Sequence, residues 1–196
     1  RRSSDLKDMI DATTTFSRLG YSLTDSTLLA DLGAMLQNVG DIDTSSAQNA
    51  MTAILKAFKL DTSEMEFTLD KLVEIGNNFP ISVSQLAEGM NNASSILAVA
   101  TNNSFDESVA LLTAANTTIQ NVSKSSTALR TIVARIRKVD TELDELGEVM
   151  TSAEYDQLTQ AITKQSVALT DEEGNLRDVY EILRDLSVAW KDVPER

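Results

Sequence analysis

Residues 104–146 carry the pattern that most restricts the fold of this chain. Ser104 and Glu107 have the spacing of a capping box, in which the hydroxyl and the carboxylate each bind a free backbone amide at a helix start. Apolar residues then recur at helical spacing, first at Val109, Leu112 and Ile119, and later at Leu129, Ile132, Val133, Ile136, Val139, Leu143 and Leu146. A polar segment at 121–126 separates the two faces. The pattern therefore predicts a helical hairpin.

A similar pattern occurs earlier in the chain and predicts an internal duplication. The matching residues lie 81 or 82 positions apart: Met9 and Ala12 with Met90 and Ala93, Ser22 with Ser104, and Ser45-Ser-Ala47 with Ser126-Thr-Ala128. We therefore predict one three-helix unit used twice, at about residues 4–58 and 84–136.

The rest of the chain also predicts helices, with one exception near the C terminus. Residues suited to N-capping precede apolar faces at Ser4, Ser22 or Thr24, Asp43 or Thr44, Ser63, Ser82 and Thr151. Gly20 and Gly40 are predicted to end the first and second helices. The first face comprises Leu6, Met9, Ile10, Thr13 and Phe16, and the most regular face comprises Leu28, Leu29, Leu32, Met35, Leu36 and Val39. Between Ser166 and Arg177 the helical period is lost, and an acidic turn with Gly174 favours a short β-hairpin.

These patterns predict an all-α fold class, a bundle of eight or nine helices with one small β-hairpin near the C terminus. Residues 1–150 are expected to form a helical core containing the two similar units, and residues 151–196 a helix, the β-hairpin and a last helix. The chain begins at Arg1 rather than Met and ends just after a helical pattern. We therefore expect it to be a region of a longer protein.

Composition excludes much of the usual chemistry of enzymes. The chain has no Cys and no His, so thiol nucleophiles, histidine bases, thiolate or imidazole metal ligands and disulfides are all absent. It has no phosphate-binding glycine loop and no nucleophile elbow. We predict a protein that is not an enzyme, with no catalytic residues, no cofactor and no metal.

The formal charge of −13 disfavours nucleic acid and anionic membranes as partners. The longest apolar run, Ile96–Ala100, is too short to span a bilayer. Residues 124–138 nevertheless contain five basic residues and no acid, whereas residues 140–156 contain seven acids and no base. Without interleaved aromatic residues, pairing of the basic block with an acidic run of a neighbouring helix or subunit is favoured over nucleic-acid binding.

Three acidic segments resemble metal or catalytic sites, but each is better interpreted as a structural element without bound metal or catalysis. Asp41-Ile-Asp43 opens like a calcium loop, but Ser46 and Thr52 replace the required Gly and Glu, which favours a helix cap. The segment 171–174 is typical of an exposed turn. The acids between Asp140 and Glu148 have no apolar pocket in sequence to raise their pKa, and are interpreted as a solvated helix face.

The order of several sequence segments along the chain resembles that in the core region of phage tail tape measure proteins. The segments that carry this resemblance are Phe16-Ser-Arg-Leu-Gly20, Ile81–Met90, Ser104-Phe-Asp-Glu-Ser-Val-Ala-Leu-Leu112, Thr127–Ile136, and Val167-Ala-Leu-Thr-Asp-Glu-Glu-Gly-Asn-Leu-Arg177 leading to Tyr180–Leu186. The family has glycines in the turn before the Thr-Ala-Leu-Arg segment, whereas Thr118–Lys124 contains none.

The resemblance implies a structural role in the tail of a phage or prophage, scaffolding assembly of the tail tube and helping to set tail length. Implied partners are the tail tube protein, tail assembly chaperones, the tail tip complex and other copies of the chain. The implied location is the virion tail, with the host bacterial cytoplasm during assembly. The family-motif residues, with structural or interaction roles, are Ser104, Leu129, Arg130, Arg135, Asp171, Gly174 and Leu183.

Two other functions remain open from the residues alone. One is a helical protein–protein adaptor or scaffold domain of a mobile element, acting through an apolar helix face and without catalytic activity. The other, least favoured, is a hydrolase using paired carboxylates. The length of the parent gene and its neighbours would discriminate between these functions and the tail role.

Overall fold

The structure is a computed structural model of the 196-residue chain, and it describes residues 2–99, 103–141, 167–169, 171–173 and 176–190. These residues form eight α-helices: α1 (Arg2–Arg18), α2 (Leu23–Gly40), α3 (Thr44–Phe58), α4 (Met65–Asn78), α5 (Val83–Val99), α6 (Phe105–Ile119), α7 (Val122–Thr141) and α8 (Val179–Trp190). A short 3-10 helix, Thr62–Glu64, precedes α4. The predicted helical fold class is confirmed for this part of the chain.

Helix starts follow the capping signals of the sequence. The Ser104 hydroxyl accepts a hydrogen bond from the Glu107 amide at 3.3 Å, and the Glu107 carboxylate accepts one from the Ser104 amide at 2.8 Å. Polar side chains also accept from the first turns of three other helices, at Ser22, Asp43 and Ser82. These four predicted starts are confirmed, because each depends on residues three positions apart in the chain.

The start predicted at Ser63 and Glu66 is wrong by two residues. The Glu64 carboxylate accepts from the Asp61 amide at 2.8 Å, so the reciprocal pair forms ahead of the 3-10 turn. Sequence spacing could not separate the two candidates, since Asp61 and Ser63 both lie three positions before a glutamate.

A residue with left-handed backbone conformation follows four of the helices, at the helix end or in the turn just after it. Gly20 has a φ of 97°, as the sequence predicts for the residue after α1. Asp41, Lys59 and Gln120 have φ values of 50°, 53° and 51°, and the amide of each donates to the last turn of α2, α3 and α6 respectively. Helix α2 ends at Gly40 as predicted, and Asp41 takes the left-handed conformation that follows it.

Helix α5 lies at the centre of the bundle and packs against α2, α3, α4, α6 and α7. Its buried residues Leu86, Met90 and Leu97 join one continuous apolar core with side chains from most of the other helices. The alternation of these large residues with Ala87, Gly89, Ala93 and Ser94 lets neighbouring helices come close.

Gly89 is the closest point of this packing. A Cβ atom on Gly89 would lie 2.5 Å from Leu112 Cδ2 of α6 and 2.8 Å from Val122 Cγ2 of α7. Both neighbours are buried, so neither side chain has free space into which to turn. The absence of a side chain at this position therefore allows the α6–α7 hairpin to sit directly on α5.

The predicted apolar faces of α1 and α2 are partly wrong. On α1, Leu6 and Ile10 are exposed while Ala12 and Phe16 are buried. On α2, the core takes only some of the predicted face: Leu29, Leu32 and Leu36 are buried, whereas Leu28, Met35 and Val39 are exposed. Periodicity defines a stripe on a helix, but the neighbouring helices decide how much of that stripe is covered.

The turn of the predicted helical hairpin, between α6 and α7, is shorter than the sequence indicated. Helix α7 begins at Val122, four residues before the predicted start, and only Gln120 and Asn121 separate it from α6. The Asn121 side chain accepts a hydrogen bond from the Lys124 amide at 2.9 Å and caps the new helix. Burial of Val122 and Ser125 then favours helix where the polar residues suggested a loop.

The predicted β-hairpin is not confirmed. Among its described residues, the Arg177 amide donates a backbone hydrogen bond of 2.9 Å to the Leu169 carbonyl, and Leu176 is an isolated bridge residue. No strand occurs in the described ranges. Gly174 at the predicted turn, and the helix predicted from Thr151, lie outside the described residues.

The predicted duplication agrees with the helix order but stays a prediction. Helices α1, α2 and α3 pack on one another, as do α5, α6 and α7, and α4 connects the two groups. Within the described ranges, no helix is both long and apolar enough to cross a membrane.

We predict opposite effects for alanine at two helical glycines. Gly89→Ala should lower the free energy of unfolding by about 1–3 kcal/mol, since overpacking against Leu112 and Val122 exceeds the gain in helix propensity. Gly33→Ala is the matched control in α2, where the new Cβ would meet only Met51 Sδ, at 3.7 Å. It should raise stability by roughly 0.5–1 kcal/mol. Urea unfolding followed by circular dichroism measures both, and equal shifts would contradict the packing described here.

Candidate functional site

The N terminus of α6 is a meeting point of three helices. Lys71 of α4 forms an ion pair with Asp106 of α6, with Nζ 2.6 Å from Oδ1. The Asn103 side-chain carbonyl accepts a weak hydrogen bond from the Tyr180 amide of α8 at 3.5 Å. Ser104, predicted as a family-motif residue, is the N-cap between these contacts, and its hydroxyl is committed to the cap.

Leu129 and Leu183 have packing roles. Leu129 on α7 is buried together with Val133 and Ile136, and Leu183 on α8 is half-buried against the same core. The Leu129 side chain is therefore covered by the core, whereas Leu183 keeps part of its surface exposed. The structure brings α8 against α6 and α7 against α5, so these two predicted residues support the helices that carry the exposed groups.

The outer side of α7 is cationic. Arg130 and Lys124 are exposed, and Arg135 is half-buried. Residues 122–136 contain no acid. Neither Lys124 nor Arg130 lies within ion-pair distance of an acidic side chain in the part of the chain that the structure describes. Lys124 and Arg135 lie in nearly the same direction around the helix axis, whereas Arg130 lies about 120–140° away from them, at 3.6 residues per turn. These three residues, spread over the outer half of α7, are hereafter called the α7 cationic face.

Arg177 is a structural residue that sequence reasoning missed. Its guanidinium donates to the Ala168 carbonyl at 2.8 Å and to the Asp185 carboxylate at 2.6 Å, and lies 3.5 Å from the Glu181 carboxylate. It therefore joins the segment 167–169 to α8. The sequence does contain the pattern of these ion pairs, because Arg177, Glu181 and Asp185 are spaced at four-residue intervals, which is the spacing of neighbours along one side of a helix.

The pKa values of two carboxyl groups near α8 are shifted in opposite directions. Burial, together with the charges of Glu107 and Glu181, raises the pKa of the Asp178 carboxyl. The hydrogen bond from Arg177 lowers the pKa of the Asp185 carboxyl and raises that of Arg177 itself. Asp178 therefore opposes docking of α8 when ionised, whereas ionised Asp185 favours it.

Two of the three acidic segments lie in the described ranges, and the run from Asp140 to Glu148 lies largely outside them. Asp43 Oδ1 accepts from the Ser46 amide at 2.9 Å, so Asp43 is a helix cap, and the hydrogen bonds from Ser46 lower its pKa. Asp171 is exposed, and its carboxylate accepts a hydrogen bond from the Glu173 amide at 3.1 Å, a contact that is typical of a turn. No cluster of three or more acidic residues in the described ranges is arranged to hold a metal ion.

The α7 cationic face contains two of the predicted family-motif residues, Arg130 and Arg135. Asp171 lies on a separate segment, and the structure gives no contact that unites it with that face.

The family model for phage-related minor tail protein matches residues 2–196. No solved structure matches the chain.

Substitution of two aspartates near α8 should shift stability in opposite directions. Asp178→Asn should raise the melting temperature at pH 7, because a raised pKa means that ionised Asp178 costs stability as pH rises through the folded pKa. Asn keeps the capacity to cap α8. Asp185→Asn should lower it, because a lowered pKa means that ionised Asp185 contributes stability, which is lost as pH falls through the folded pKa.

Thermal unfolding between pH 3 and pH 8 provides the check, on a range chosen to span the unfolded carboxyl pKa of about 3.9. Both differences from the wild-type chain should shrink toward the acidic end of that range. Shifts of the same sign at pH 7 would contradict the assignment of charges around α8.

Proposed function

Because the chain belongs to the phage-related minor tail protein family over nearly its whole length, we propose that it is the core region of a tape measure protein. In this proposal it scaffolds assembly of the tail tube and helps to set tail length, without catalysis. The observation that carries the proposal is the family match over residues 2–196, supported by the order of the sequence motifs from Phe16–Gly20 to Tyr180–Leu186.

Family membership places the protein among the components of a phage tail. The proposed partners within the tail are the tail tube protein, the tail tip complex and other copies of the chain, with tail assembly chaperones acting earlier. Assembly is proposed to take place in the host bacterial cytoplasm, after which the protein remains in the virion tail.

The α7 cationic face is the proposed contact surface for an acidic tail component. Its charge is opposite in sign to the formal charge of −13 on the whole chain, so attraction at short range would orient α7 toward an acidic partner. Because the face is exposed, each ion pair would contribute little alone, and several together would set orientation more than affinity.

The compact fold supports a docking role for this region rather than a measuring role. A single continuous helix of 196 residues would extend on the order of 290 Å, at 1.5 Å per residue. The longest described helix, α7, has 20 residues and spans only about 30 Å. We therefore propose that extended helices elsewhere in the parent protein determine length, while this region provides contacts that start or anchor assembly.

Deletion of the region tests this division of roles. Removing residues 2–196 in frame from the parent gene should abolish tails, because the docking contacts would be lost. The deletion avoids the partial unfolding that removal of residues 104–136 alone would cause, since Leu112, Leu129 and Val133 are part of the core.

Electron microscopy of the resulting particles decides between the outcomes. Intact tails that are shorter in proportion to the deleted residues would support a ruler and contradict the docking role. Tails of normal length and infectivity would contradict the proposed function altogether.

Reversal of charge on α7 tests the contact surface without disturbing the core. Lys124→Glu with Arg130→Glu should leave the melting temperature within about 2 °C of the wild-type value, because both side chains are exposed. The yield of infectious particles should fall about tenfold or more. Lys7→Glu on α1 is the control for a charge change elsewhere, and should leave the yield unchanged. Normal yield from the α7 variant would exclude this face as the contact surface.

A further inference from the structure

Helix α8 docks on the bundle through its contact with α6. Two of its side chains, Val179 and Ile182, are fully buried in the common core, and Leu183 is half-buried beside them. Helix α5, by contrast, packs against five other helices. Local opening is easiest where few apolar side chains are buried, so α8 can separate from the bundle at a low cost in apolar burial.

The polar contacts at the junction of α6 and α8 are poorly satisfied. Asn103, which is 4% exposed, accepts a hydrogen bond of 3.5 Å from the Tyr180 amide, and its side-chain amide nitrogen has no partner among the described residues. An amide buried without a partner favours any state in which water reaches it, by about tenfold or more. Since Tyr180 of α8 lies against Asn103, separation of α8 would open Asn103 to water.

The charges at the same junction also oppose docking. Asp178, just before α8, is partly buried and lies close enough to Glu107 of α6 for the two carboxylates to repel. Glu181, on the first turn of α8, adds to this repulsion, and Arg177 offsets only part of it, so the pKa of the Asp178 carboxyl is raised. Ionised Asp178 therefore favours separation of α8 from α6.

The ion pairs near α8 lie within the C-terminal part of the chain. In the ranges that the structure describes, they join Arg177 to Glu181 and Asp185, and Arg184 to Asp185. Arg177 also donates a hydrogen bond of 2.8 Å to the Ala168 carbonyl. These contacts hold α8 to its own preceding segment, so they do not offset the repulsion between α8 and α6.

We propose that α8 is a releasable arm, which separates from α6 while α1–α7 stay folded, and that the negative charges of Asp178 and Glu107 favour this release. Release exposes Val179, Ile182 and Leu183, whose apolar surface the docked state covers wholly or in part. The protein thus carries an apolar helix face that is withheld from other chains until α8 leaves α6. This inference requires neither the predicted duplication nor the proposed function.

A single introduced cysteine reports on the release, because the chain has no thiol of its own. Val179→Cys on α8 and Val133→Cys on α7 are matched, since both valines are 0% exposed. Iodoacetamide should modify the α8 thiol about 100-fold faster than the α7 thiol, with each rate divided by that of the same variant unfolded in urea. The rate at α8 should also depend less on urea, because release exposes less surface than unfolding of the whole chain. Equal rates with equal urea dependence would overturn the proposal.

Two charge variants in the Val179→Cys background test the repulsion between α6 and α8. Asp178→Asn should slow modification of the thiol at pH 8 by about threefold or more, because it removes a charge that opposes docking. Glu107→Gln should slow it in the same direction, and Gln keeps the capacity to form the capping box of α6. Asp31→Asn, on the exposed side of α2, is the control and should leave the rate unchanged. Unchanged rates in both junction variants would overturn the role assigned to these charges.

Hydrogen exchange of the unmodified chain provides an independent measurement that does not depend on the folding of the cysteine variants. The amides of residues 183–187 on α8 should exchange about 100-fold faster than those of residues 88–92 on α5, after correction for intrinsic rates. Urea should accelerate exchange steeply on α5 and only weakly on α8. Exchange of both helices at one common rate, with one urea dependence, would show that α8 opens only when the whole chain unfolds and would overturn the releasable arm.

Discussion

The close approach of α6 and α7 to α5 at Gly89 is the contact on which the rest of the bundle depends. Because no side chain separates the helices there, Leu112 and Val122 pack directly on α5. That contact places the α6–α7 hairpin, and α6 in turn provides the surface on which α8 rests. Helices α3 and α4 also pack against α5. A dense interior transmits such constraints, since its side chains have little room for independent adjustment.

Docking of α8 combines a strong apolar contact with weak polar ones. Val179 and Ile182 are fully buried in the common core. By contrast, the side-chain amide nitrogen of the buried Asn103 has no hydrogen-bond partner among the residues that the structure describes, and its carbonyl accepts a long hydrogen bond from the Tyr180 amide. An unpaired buried amide costs on the order of 1–3 kcal/mol, so burial of the two apolar residues must offset it. Arg177 adds the ionic contacts that orient the helix.

The two three-helix groups offer different surfaces for assembly. The group containing α5, α6 and α7 has a filled core and a cationic outer side, which suits contacts guided by charge. The group containing α1, α2 and α3 has an open cleft and exposed apolar residues such as Leu6 and Ile10, which suit contacts guided by burial.

Local chemistry determined the parts of this protein that the sequence by itself could predict. The helical class, the caps at Ser22, Asp43, Ser82 and Ser104, and the left-handed Gly20 all depend on groups within about four residues of one another, so they are readable without knowledge of neighbours. The family could also be inferred, since motif order is a property of the sequence alone.

The tertiary structure decided the rest. It determined which side of α1 and α2 is buried, it started α7 at Val122, it joined Arg177 to Ala168 and Asp185, and it left a cleft beside Ala30. Each of these outcomes depends on residues brought together from distant positions or on space left between helices. The free energy of burial is set by what covers a side chain, and a helical pattern specifies only the side chain and its direction.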